Sequence, residues 1–147
     1  MVLKKNHEDF MREALKEAQK AFDRDEVPIG AVIVSDGVVI ARAHNLTEQL
    51  NDVTAHAEMQ AITAAANAIG GKYLNECSLY VSIEPCVMCA GATAWAQIGS
   101  LVFGAKDEKK GFTRTDKKIL HPKTKLVSGV LEDECTALMK SFFRLKR

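Results

Sequence analysis

Two short strings in this chain have residue types and a spacing that suit metal chemistry: His56-Ala57-Glu58 and, thirty residues on, Pro85-Cys86-Val87-Met88-Cys89. One imidazole and two thiols make three ligands suited to Zn²⁺, and this soft donor set favours zinc over harder divalent ions. A structural zinc site normally has four protein ligands, whereas a catalytic one has three and keeps a position for water. No fourth ligand is obvious near either string, so the pattern reads as an open site. Glu58 supplies what such a site needs, a carboxylate that can take a proton from water.

The elements around these strings must bring them together. Residues 7–23 predict a helix, with Phe10, Met11, Leu15, Ala18 and Phe22 at helical spacing and His7 exposed at its start. Pro28 precedes an apolar run over 29–34; Ser35-Asp36-Gly37 is a turn signal, and 38–43 completes a hairpin. An Ala-rich helix is expected from about Thr54 to Ala68, ended by Gly70-Gly71. Inside a helix, residues two apart point about 200° apart, so His56 and Glu58 can share one site only in the first turn. Strands are expected over 78–83, 100–105 and 126–130, and helices from Cys86 to about Gln97 and from Glu132 to about Leu145. Cys86 and Cys89 then share one face of a first turn, where free N–H groups and the helix dipole favour thiolates. A hairpin followed by alternating strands and helices predicts an α/β fold, a three-layer α/β/α sandwich with a mixed five-stranded sheet.

The chain has 147 residues, 47% hydrophobic and 27% charged, which suits one soluble domain over 1–147. No apolar run is long enough to span a bilayer and no signal-peptide pattern opens the chain, so the expected location is the cytoplasm, with no membrane partner. Cys77 and Cys135 read as small core residues. The net charge of +1 hides an asymmetry: residues 1–105 are net −5 and residues 106–125 are net +5. The basic segment reads equally as a phosphate-facing edge or as a solvated loop.

His-x-Glu…Pro-Cys-x-x-Cys is the signature of zinc nucleobase deaminases. The likeness extends to Pro28-Ile29-Gly30-Ala31-Val32, His44-Asn45, Thr54-Ala55-His56-Ala57-Glu58, Glu84 to Ala92, Val102 to Asp107 and Ser141-Phe142-Phe143-Arg144. In this order the strings resemble the bacterial tRNA-specific adenosine deaminases of the cytidine deaminase superfamily, over nearly the whole chain. The resemblance implies one Zn²⁺ per subunit on His56, Cys86 and Cys89, with Glu58 as proton shuttle. It implies hydrolysis of adenosine to inosine at the wobble position of an anticodon stem-loop, and a homodimer with tRNA as partner. It also implies polar contacts to the base from Asn45, the N–H of Ala57 and the carbonyl of Glu84. Asp107, His121, Phe143 and Arg144 are implied RNA contacts; Lys106, Lys109, Lys110 and Arg114 join them from the basic segment, and Phe142 is expected in the core.

Two features point elsewhere. Asn51-Asp52 before Val53, and Trp95, resemble free-base guanine deaminases, so a deaminase of free guanine or cytosine is the alternative. The expected role of Trp95 is packing, in the core or against a second copy. A zinc-stabilised RNA-binding module without catalysis is a third reading, against which Glu58 argues.

Overall fold

The computed structural model describes residues 5–115 and 117–146. The first helix, α1 (His7–Asp23), opens with a reciprocal cap. The Asn6 side chain accepts the Asp9 N–H and the Asp9 carboxylate accepts the Asn6 N–H, each at 2.9 Å. Two otherwise unpaired helix-end donors are thereby satisfied. The hairpin follows as β1 (Gly30–Ser35) and β2 (Val38–His44), then α2 (Ala57–Ile69), β3 (Cys77–Ile83), α3 (Val87–Ala96), β4 (Ser100–Ala105), β5 (Lys125–Val127) and α4 (Glu132–Leu145).

The five strands form one sheet in the order β2-β1-β3-β4-β5. The β1 strand is antiparallel to both β2 and β3, whereas β3–β4 and β4–β5 are parallel. Side chains alternate between the two faces of a strand. Ala31, Ile33, Leu79, Val81, Leu101 and Phe103 therefore pack with Ala57, Ala61 and Ala65 of α2 and Ala90 and Ala96 of α3. Val32, Val34, Tyr80 and Val102 face the other way, against Phe10, Met11 and Ala14 of α1 and Cys135 of α4. The result is the expected three-layer α/β/α sandwich with a mixed sheet. Helix α1 lies so close to β1 that a Cβ on Gly30 would come within 2.1 Å of the Ala14 carbonyl oxygen. No helix among the described residues is long and apolar enough to cross a membrane.

This topology gathers chain ends at one edge of the sheet. The parallel β3 and β4 both finish there, and the antiparallel hairpin puts the start of β1 and the end of β2 beside them, with Gly30 opposite His44. Clefts at the carboxyl ends of parallel strands are the usual ligand sites of α/β sheets.

Several expectations change. Helix α2 starts at Ala57 rather than Thr54, because the Asp52 carboxylate accepts both the N–H (2.8 Å) and the hydroxyl (2.7 Å) of Thr54. That local bonding offers the backbone an alternative to the helix. Helix α3 starts at Val87 and ends at Ala96, with Cys86 and Gln97 as its caps. Strand β5 stops at Val127, and Gly129, at φ +81°, turns the chain so that its N–H reaches the Gly104 carbonyl at 3.1 Å. His7 is exposed as expected but not idle: its Nδ1 lies 2.7 Å from the Tyr80 hydroxyl. Trp95 is 85% exposed, which excludes core packing for it. Cys77, Cys135 and Phe142 are buried as expected.

Candidate active site

His56 is the N-cap of α2 and Cys86 the N-cap of α3, both with extended backbone and neither using its side chain to cap its own helix. Those side chains turn to each other instead. His56 Nδ1 lies 3.7 Å from Cys86 Sγ and 3.5 Å from Cys89 Sγ. The three donor atoms all fall within 4.8 Å of one another. Zinc at ordinary Zn–N and Zn–S bond lengths in a tetrahedron would set N–S edges of about 3.6 Å, so the observed spacing fits that ion. Among the described residues this cluster holds three ligand side chains and no fourth.

The protonation pattern also suits a cation. A hydrogen bond from the Cys89 thiol holds Cys86 down to about 4, with His56 helping. The same bond pushes Cys89 up, so the pair carries one proton between them and Cys86 is the thiolate. The Cys86 sulfur in turn raises the His56 pKa. A metal ion entering would displace the remaining thiol proton.

Glu58 is the second residue of α2 and is 4% exposed. Burial raises its carboxyl to about 7, with the Cys86 thiolate adding to the effect. A carboxyl poised there can both take and give a proton near neutral pH.

These residues border a cavity of about 210 Å³ lined by Val27, Ile29, Asn45, Thr47, His56, Ala57, Glu58, Glu84, Cys86, Asp107 and Lys110. Its volume suits a single base, since pockets for drug-sized ligands run from about 300 to 1,000 Å³. Asn45 directly follows β2; its N–H donates to the Ile29 carbonyl at 3.0 Å and its Oδ1 accepts the Thr47 N–H at 3.4 Å. Asp107 Oδ1 accepts the N–H groups of Lys109 and Lys110, both at 3.0 Å, and so shapes the start of the basic segment. Lys109, Lys110 and Arg114 then border a groove of about 550 Å³ beside Cys86, Val87 and Met88.

The structure thus gathers Asn45, His56, Ala57, Glu58, Glu84, Cys86 and Asp107 around one cavity, with Cys89 behind them. Phe143, Arg144 and His121 lie outside both this cavity and the basic groove. Phe143 is 46% exposed on the last turns of α4, with Arg144 next to it, also exposed. His121 lies with Lys123 and Lys125 beside the starts of β3 and β4, in a concavity of about 530 Å³ at the other end of the sheet. Six residues of strand rise separate the two ends, roughly 20 Å.

Other residues shape the site without a sequence signal. The Gln60 side-chain NH₂ donates to the carbonyls of His44 (2.9 Å) and Ala55 (3.1 Å), tying the end of β2 to the approach to His56. Buried Glu26 accepts the N–H groups of Glu48 (3.0 Å) and Gln49 (2.7 Å), fixing the loop that carries Thr47. Their partners lie 5 to 23 positions away with no motif between them.

A family model for MafB19-like deaminases matches residues 5–147. The tRNA-specific adenosine deaminase of Bacillus subtilis is 47% identical over 140 residues, covering 92% of this chain and 87% of that protein. The enzyme of the same description from Agrobacterium fabrum is also 47% identical, covering 94% of each. A solved structure from a study of A-to-I editing by wobble-position tRNA deaminases superposes with a TM-score of 0.82 at 46% identity, over 88% of this chain and 97% of that one. The guanine deaminase of Nitrosomonas europaea superposes with a TM-score of 0.85, over 97% of this chain and 86% of that one, but at only 26% identity. With a deaminase site at the expected corner of the sheet and likeness along nearly its whole length, the chain belongs to the MafB19-like deaminase family and, inside it, to the tRNA-specific adenosine deaminases.

Proposed function

We propose that this chain hydrolyses adenosine to inosine at the wobble position of a tRNA anticodon, releasing ammonia. One observation carries the chemistry: three ligand atoms within 4.8 Å of one another, beside a buried carboxyl whose pKa is raised to about 7. The choice of substrate rests on the relatives: identity to the tRNA deaminase of Bacillus subtilis is 47% over 92% of this chain, against 26% to the guanine deaminase of Nitrosomonas europaea and 41% over only 69% of this chain to that of Bacillus subtilis.

His56, Cys86 and Cys89 hold one zinc ion per subunit. When bound, that ion supplies a Lewis acid that acidifies water near neutral pH. Glu58 moves the protons. Its carboxylate accepts one from the attacking water and delivers it to ring N1, which makes C6 electrophilic. The water oxygen bonds to C6 as a hydroxyl; Glu58 then takes that hydroxyl's proton and passes it to the departing amine as the C6–N bond breaks and the C6 carbonyl forms. The Asn45 carboxamide, the Ala57 N–H and the Glu84 carbonyl orient the base. A base in an anticodon loop is already close to unstacked, so little free energy is spent extruding it.

Asp107 contacts RNA from the cavity wall, and the basic groove, Phe143 and Arg144 contact it outside the cavity. His121 meets a part of the RNA, or of a second subunit's RNA, remote from the reacting base. The working form is a cytoplasmic homodimer, a reading supported by the uncharged helix α3 with Val87 (46%) and Trp95 (85%) exposed. The test compares ammonia release from an anticodon stem-loop bearing wobble adenosine with release from free guanine, cytosine, cytidine and adenosine. Turnover confined to the stem-loop supports the proposal; faster turnover of free guanine or cytosine overturns it.

A further inference from the structure

Glu84 is 4% exposed, and no cation pairs with it among the described residues. Its carboxylate is satisfied entirely by the segment that follows β4. Oε1 accepts the Asp107 N–H at 3.2 Å. Oε2 accepts the Thr113 N–H at 2.9 Å and the Thr113 hydroxyl at 2.8 Å. The chain between these donors wraps around the carboxylate. Gly111 passes so close that the three nearest atoms to a Cβ there would all belong to Glu84, at 2.3 to 2.4 Å. Gly111 has φ −64° and ψ 142°, a conformation open to any residue, so the backbone does not demand glycine. The Glu84 carboxylate does. Two backbone contacts fasten the same segment to the metal-bearing turn: a bridge between Cys86 and Gly111, and a bond from the Phe112 N–H to the Pro85 carbonyl at 3.0 Å.

The wrapped segment carries Asp107 and Lys110, which line the cavity, and Lys109, Lys110 and Arg114, which line the neighbouring groove. We propose that the Glu84 carboxylate is a positioning residue: it fixes segment 107–113 against Cys86 and thereby aims the basic wall at the incoming RNA, with Gly111 small because the carboxylate fills its space. This rests on the RNA-deaminase reading above. Hydrogen bonds to a charged acceptor matter more than neutral ones, and a buried donor left unpaired is costly. A glutamine in place of Glu84 presents an NH₂ group to at least one of those donors, so the segment must shift while the ligands and Glu58 keep their places.

The test uses the zinc-loaded full chain. For Glu84→Gln, which keeps the main-chain carbonyl, zinc per chain stays unchanged and KM on the stem-loop rises about tenfold or more, a larger factor than any fall in kcat. Gly111→Ala raises KM by a similar factor alone, and adds little in a Glu84→Ala background, where the methyl group has room. The Asp107 and Thr113 amides exchange with solvent deuterium faster in Glu84→Gln, a readout that needs no turnover. A merely structural role would instead lower the melting temperature with KM unmoved. That result, loss of zinc, a fall in kcat at constant KM, or equal Gly111→Ala penalties in both backgrounds would each overturn the proposal. If the unsubstituted enzyme releases no ammonia from the stem-loop, the RNA-deaminase reading fails, while the exchange data still decide whether Glu84 holds the segment.

Discussion

Replacing Glu58 with glutamine keeps the shape of the site and removes its proton acceptor. The residue is 4% exposed and belongs to the first turn of α2, so the isosteric amide leaves packing and the three ligands in place. General acid–base catalysis is worth about 10²–10⁴ in rate. Glu58 serves more than one transfer, so kcat should fall by about 10³ or more, roughly 4 kcal/mol of barrier. Stability should move the other way in the metal-free protein. Burial raises the Glu58 carboxyl from 4.5 to about 7. The unfolded chain then loses its proton at a lower pH than the folded one, so this group's contribution to stability falls as pH rises from 4.5 to 7. Above that window the buried charge costs about 3 kcal/mol, and Glu58→Gln removes the cost. The metal-free variant should therefore match the parent below pH 4.5 and exceed it above pH 7. Stem-loop turnover, metal analysis and urea melts at the two pH values measure all three effects. Residual kcat within tenfold of the parent, with zinc retained, would refute the proton-shuttle role.

Three further outcomes are expected. Cys86→Ser and Cys89→Ser should each lose zinc on dialysis, read by metal analysis, because a hydroxyl is a far weaker ligand than a thiolate. Gly30→Ala should destabilise the chain by about 1–3 kcal/mol in denaturant melts, since its Cβ has backbone of α1 at 2.1 Å and no flexible side chain to displace. His44 is held below its usual 6.5 chiefly by burial, partly offset by Glu17 3.7 Å away, and its Nε2 has no hydrogen-bond partner among the described residues. The unfolded chain takes up that proton first, so stability is lost as pH falls below 6.5; His44→Gln should flatten this dependence in urea melts.

Much of the site is local chemistry and was legible from residue order. Cys86-x-x-Cys89 in a first turn and His56-x-Glu58 at a helix start are short-range patterns, and the helix repeat alone forces the second to lie at an N-terminus. The 3.6 and 2.0 periodicities likewise yielded four helices, the hairpin and the α/β layering, with α4 matching to the residue. What shifted was set by side chains competing for backbone donors, as when Asp52 delays α2 to Ala57.

Tertiary structure decided the rest, because those facts are distances between residues far apart in the chain. Glu84 reads as part of a motif, yet its carboxylate is committed to Asp107 and Thr113, 23 and 29 positions on. Gly111 carries no motif, and only the fold shows that it leaves the gap into which that carboxylate fits. His121 stands among basic neighbours in the sequence, and only the parallel direction of β3 and β4 puts it at the far end of the sheet from Cys86. Spacing along a chain specifies which groups can share a turn; which turns share a cavity depends on strand order and direction, and those come from burying both faces of the sheet at once.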